Sequence, residues 1–186
     1  MSYTFSRRDF MKYTALAAAA VAVSGSLTGC SNPNRPVGTI GSTLKPGDGI
    51  CEATLLSSNS KPTYNLTDKR FVCNFKIKSI IAGLQVSKGH FQVDVTGGQH
   101  PGSYNVNTHP TGVAAATFEL QGGTDATTKN QVLSDVALIV TNIDLTGATN
   151  VAVRYCPKHS ADENGKDLYN DVYATWNITA NDLGLE

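Results

Sequence analysis

The sequence predicts an all-β fold, an antiparallel sandwich of two sheets with about eight strands. Three observations carry that prediction. Apolar and polar residues alternate with period two in several short runs, glycine-rich turns separate the runs, and only one stretch reads as helical. An immunoglobulin-like Greek key is the first choice of topology, and a small β-barrel the runner-up.

In chain order, the first candidate strand is Cys51–Leu56, followed by the clearest one, 71–78. There Phe71, Cys73, Phe75 and Ile77 share one face, and Asn74, Lys76 and Lys78 the other. Residues 91–96 repeat the pattern, and 151–155 do so again. Tyr104–Asn107, Ala114–Leu120 and Val136–Leu145 are weaker candidates. Near the end, Val172, Ala174, Trp176 and Ile178 face one way, which places the single tryptophan in the core. Turn signals at Gly83, Lys88-Gly89, Gly97-Gly98, Pro101-Gly102, Gly122-Gly123 and Gly147 lie between these runs. Residues 124–134 are the one stretch that reads as a short helix, without an apolar stripe.

Ahead of the strands the chain carries sorting signals. Ser6-Arg7-Arg8-Asp9-Phe10-Met11-Lys12 is basic, and an alanine-valine run from Tyr13 to Val23 follows. That run is too short for a membrane span, which needs ~20 apolar residues. A basic start and a short apolar region are the layout of an export signal. The motif resembles the twin-arginine (Tat) consensus through Arg7, Arg8, Phe10 and Lys12. Leu27-Thr28-Gly29-Cys30 resembles the bacterial lipobox. These resemblances imply passage through the Tat export machinery, loss of residues 1–29 and acylation of Cys30. Two acyl chains at ~0.8 kcal/mol per buried CH2 anchor a protein to a membrane without spanning it. The Tat resemblance also implies that the domain folds before export.

The expected organisation is therefore a signal peptide at 1–29, a lipidated tether at 30–49, a sandwich domain at 50–180 and a tail at 181–186. The tether reads SNPNRPVGTIGSTLKPGDG after the cysteine, and flexible chain of that length reaches ~25 Å. Cleavage removes three basic and one acidic residue from totals of 15 and 15, leaving 12 and 14. That balance gives no electrostatic basis for binding nucleic acid.

Three cysteines remain in the mature chain. An oxidising compartment favours one disulfide, and Cys51–Cys156 is the preferred pair because one opens a strand and the other closes one. In a simple hairpin Cys73 opposes Leu55, so Cys51–Cys73 ranks second, and three buried thiols are the remaining reading. Cys156-Pro157-Lys158-His159 resembles the copper loop of cupredoxins, with His109 as the second imidazole 47 residues before Cys156. The pattern departs from that family in having no methionine after Met11. His90, His100 and His109 lack zinc spacing, and Asp162, Glu163, Asp167 and Asp171 read as a solvated loop rather than a calcium site.

No nucleophile elbow, zinc-protease or phosphate-loop motif occurs. The expected function is a membrane-anchored extracytoplasmic lipoprotein whose sandwich is a non-enzymatic binding or protein-interaction module. It needs no cofactor, and an envelope protein is the expected partner. A cupredoxin-like copper protein and a structural accessory subunit of an exported complex are the alternatives.

Overall fold

The computed structural model describes residues 35–46, 49–157 and 173–185. These residues form thirteen strands: β1 (Val37–Thr39), β2 (Thr43–Leu44), β3 (Cys51–Leu55), β4 (Thr63–Asn65), β5 (Arg70–Ser79), β6 (Leu84–Gln85) and β7 (Phe91–Gly97), then β8 (Gly102–Tyr104), β9 (Thr117–Gln121), β10 (Asp125–Ala126), β11 (Val132–Thr141), β12 (Ala148–Tyr155) and β13 (Ala174–Thr179). One helix, α1 (Ala180–Leu183), follows.

One sheet has the order β1-β13-β12-β7-β8, and the other β2-β3-β5-β11-β9, with β4 also pairing β5. A two-stranded ribbon joins β10 to β6. All pairs are antiparallel except β1 on β13. Adjacent pairs such as β2–β3, β7–β8 and β12–β13 stay within one sheet, the links β1–β2, β8–β9 and β11–β12 cross between sheets as in an immunoglobulin-like Greek key, and no sheet closes into a barrel.

The period-two faces are the reason for this layering. Phe71, Cys73, Phe75 and Ile77 are fully buried, as are Phe91 and Val93 from the opposite sheet. Phe75 lies 5.4 Å from the Phe91 ring and 5.3 Å, edge-on, from Trp176. Trp176 is fully buried, and its indole Nε1 donates to the Ser42 carbonyl at 2.9 Å. At 25 cal/mol per Å2, a buried aromatic of this size contributes several kcal/mol.

The structure changes several boundaries. The segment assigned to the tether builds both sheets. Val37–Thr39 pairs in parallel with Thr175–Asn177, and Thr43–Leu44 pairs with Thr54 and Ala53. Gly41, at φ +86, turns the chain between them, and its N–H donates to the Leu55 carbonyl. Main-chain pairing of two- and three-residue strands leaves no periodicity to read.

Residues 124–134 are not helical. They hold β10, a turn in which the Gln131 side chain accepts from the Thr128 N–H, and the start of β11. A bulge between Leu133 and Val136 hid that strand's alternation. At the end of the chain, Thr179 caps α1 and its hydroxyl exchanges hydrogen bonds with Asp182. Gly184, in the left-handed region, closes the helix, and Leu183 is buried, so the tail is packed.

Candidate functional site

The two sheets have opposite ends as well as outer faces. At one end lie the start of β1, the start of β7, the end of β12 and the start of β13, since Val37 pairs Thr175 and Tyr155 pairs both Phe91 and Ala174. The end of β5 and the start of β11 belong there too. Ser79 bonds Gln131 and Asn130, and its strand leads through β6 into β7. We call this the entry end. At the opposite end, the Tyr64 hydroxyl donates to the Ile143 carbonyl and accepts from the Leu145 N–H.

The outer face of the five-stranded sheet carries the most connected polar array among the described residues. Register places Gln92, Arg154 and Thr175 in one outward row, and Asp94 and Ser103 in the next. The Asp94 carboxylate is 2.6 Å from Arg154 Nε. It also accepts from the Ser103 hydroxyl at 2.6 Å and from Gln92 Nε2 at 2.7 Å. The Arg154 guanidinium lies 4.9 Å from the centre of the Tyr173 ring, and that of Arg35 lies 5.3 Å from it. The result is a tyrosine engaged by two arginines, one of them fixed by a carboxylate.

The outer face of the six-stranded sheet is different. Glu52 meets Lys45 at 2.9 Å and Lys78 at 3.8 Å, and the hydrogen bond from Lys45 holds its carboxyl below the usual range. With Thr43, Thr54, Lys76 and Val132 these residues line a shallow hollow of about 210 Å3. A second hollow of about 150 Å3, at the end opposite entry, is lined by Tyr64, Leu66, Thr146, Gly147 and Leu183–Leu185. Both are smaller than the ~300–1,000 Å3 of metabolite-binding clefts.

The predicted disulfide is not formed. Cys51, Cys73 and Cys156 are all buried thiols, and none is joined to another. Cys51 pairs Ser79 at the end of β5 while Cys73 sits six residues back, opposite Leu138; Leu55 faces Phe75 instead. Cys156 follows β12 in the other sheet, where its N–H donates to the His90 carbonyl. Burial pushes the Cys73 thiol far up, away from reactivity.

Of the copper set, His109 is exposed in the turn after β8, Cys156 is buried at the end of β12, and His159 lies outside the described residues. No group of three or more His, Cys, Asp or Glu able to hold a metal occurs among the described residues. His90 is spent locally, its Nδ1 accepting from the Ser87 N–H. Asp162, Glu163, Asp167 and Asp171 lie outside the described residues, as do Arg7, Arg8, Phe10, Lys12 and the lipobox Leu27-Thr28-Gly29-Cys30.

Sequence reasoning missed Arg35, Asp94 and Tyr173 as a group. The outward positions of 91–96 and 151–155 were visible, but not the pairing that aligns them. No helix among the described residues is long and apolar enough to cross a membrane.

Comparison with known proteins speaks to the leader. Residues 4–24 match the family model of the TAT (twin-arginine translocation) pathway signal sequence. The protein is thus a Tat substrate, exported from the cytoplasm. No curated protein matches the chain. Among solved structures, the ycdA protein of Bacillus subtilis subsp. subtilis str. 168, a candidate lipoprotein, is similar at 17% identity and a TM-score of 0.36. That match covers 73% of this chain and 38% of the Bacillus chain.

Proposed function

We propose that this exported protein is anchored by acylated Cys30 and that its sandwich is a non-enzymatic module binding an envelope protein. The recognition surface is the outer face of the five-stranded sheet. The observation that carries this reading is Tyr173 engaged by Arg35 and Arg154, with Arg154 held by Asp94. Tyrosine and arginine, fixed in advance by neighbours, are the residue types on which protein interfaces concentrate their binding energy. The charged side chains here are committed to one another, and the thiols are buried, which suits recognition better than turnover.

The anchor follows from Leu27-Thr28-Gly29-Cys30 at the close of the apolar run. Labelling cells with radioactive palmitate tests it: label on the wild-type chain and none on Cys30→Ala supports the anchor, and label retained in Cys30→Ala contradicts it. Co-purification from detergent extracts tests recognition. A protein captured by the wild-type chain and lost from folded Tyr173→Ala supports the assigned face; an unchanged captured set contradicts it.

A further inference from the structure

The exposed large aliphatic side chains are unevenly distributed. Five are exposed among the described residues, namely Val37, Leu66, Ile81, Val106 and Val132. Four of them belong to the entry end. Val37 opens β1, and Ile81 follows Ser79, whose hydroxyl donates to the Ile81 carbonyl. Val132 pairs Lys78 at the end of β5. Val106 follows β8 and approaches Gly89, which precedes β7. Only Leu66 lies at the opposite end, against the α1 region.

Exposed Lys88 and Lys129 flank these aliphatics, Lys129 on the turn whose Asn130 N–H donates to the Ser79 carbonyl. Glu52 and Asp125 also lie toward this end, the first neutralised by Lys45 and Lys78. The far end carries Asp68, Asp144 and Asp182 together with Lys69, which pairs Asp144, and Arg70.

Acylated Cys30, as proposed above, limits how far the start of β1 can stand from lipid. The Pro36 carbonyl accepts from the Thr175 N–H, so the chain is pinned to the sheet at residue 36. Six residue steps separate it from Cys30, and fully extended they span at most ~22 Å. A ten-residue strand such as β5 is ~33 Å long. The leash is therefore shorter than the domain, and it begins at the entry end.

We propose that the entry end is a lipid-facing surface. Ile81 and Val106, on the connections at this end, seat in the interfacial region of an anionic bilayer, and Lys88 and Lys129 meet its headgroups; Val37 and Val132 stand at the rim of the surface on the two outer faces. This deepens the lipoprotein reading and rests on it. It leaves the far end directed away from the membrane; on the five-stranded face Arg35 and Tyr173 stand at the rim of this entry end, and Asp94 and Ser103 one outward row further from lipid.

The test uses the full mature lipoprotein, palmitate-labelled and reconstituted in phosphatidylcholine–phosphatidylglycerol (3:1) vesicles. A fluorophore is placed at Ile81→Cys, at Val106→Cys should the first not fold, and at Leu66→Cys in a parallel sample. Lipid-borne quenchers should quench the entry-end label at least threefold more than the label at residue 66. Lys88→Glu with Lys129→Glu should reduce that difference, and high salt should do the same. Equal quenching at both ends, or stronger quenching at residue 66, in a protein that carries palmitate overturns the surface alone. A chain without palmitate overturns the anchor and the surface with it.

Discussion

The two outer faces of the sandwich arise from the same alternation and have different character. On the six-stranded sheet, charged residues meet in exposed pairs, with Lys45 and Lys78 on either side of Glu52. On the five-stranded sheet, Asp94, Gln92, Ser103 and Arg154 share one network that ends on Tyr173. Exposed pairs contribute little, since solvent screens them and two long side chains must be ordered. A network anchored on half-buried groups holds its members in place before any partner arrives. The difference teaches that a polar sheet face is a recognition candidate when its side chains are fixed, not merely when they are charged.

The largest way to break that contrast lies beneath the five-stranded face. Trp176→Ala removes a buried ring and the bond to the Ser42 carbonyl. It should cost about 3–5 kcal/mol in urea unfolding and free the edge strands β1 and β2 to exchange amide hydrogens. A loss under ~1 kcal/mol would show that the indole does not hold these edge strands in place. Gly122→Ala is the next largest. Gly122 has φ +95, and a Cβ there would land on the Asp135 carbonyl oxygen. The substitution should destabilise by at least ~2 kcal/mol and disturb the β9–β11 edge.

Breaking the network itself is a smaller effect. Arg154→Ala leaves Asp94 without its cation and Tyr173 with one arginine, and should lower stability by about 1–2 kcal/mol. The matching change on the other face, Glu52→Gln, should cost clearly less than Arg154→Ala, because solvent screens that exposed pair. Equal losses from both would erase the distinction between the faces.

The smallest effect is a pH dependence at the far end. Lys69 meets Asp144 at 2.8 Å, and its hydrogen bond, with those from Thr146, lowers the Asp144 carboxyl to about 2. A depressed folded pKa stabilises above the unfolded value near 3.8 and loses that stability as pH falls toward 2. Because Lys69 is half-exposed, screening limits the contribution to about 1 kcal/mol or less. Lys69→Ala should flatten stability over that acid window; an unchanged slope would place the acid sensitivity elsewhere.

Much of the fold was legible because alternation records burial directly. Phe71, Cys73, Phe75 and Ile77 all point inward as their spacing requires, and so do Ala174, Trp176 and Ile178. What was hidden depends on main-chain pairing or on register. Residues 37–44 build strands too short to show a period, and the bulge at Ser134-Asp135 breaks the phase of β11. Pairing the cysteines from strand position failed because opening or closing a strand does not fix a neighbour: Cys51 stands opposite Ser79, and Cys156 bonds the His90 carbonyl through its N–H. The candidate site was least legible of all: Asp94, Arg154 and Tyr173 are far apart in sequence, and only the β7–β12–β13 register aligns their strands. The leader was legible because export receptors read contiguous sequence, and the family match at residues 4–24 agrees with the arginine motif.

The central claim is that the five-stranded face meets a protein partner. A photo-crosslinking amino acid at Ser103, exposed beside Asp94, and another at Lys76, on the opposite face, test it in living cells. Position 103 should give a discrete protein adduct that is lost in Arg154→Ala, and position 76 none. An adduct from position 76 alone, or the same adduct from both positions, would contradict the claim.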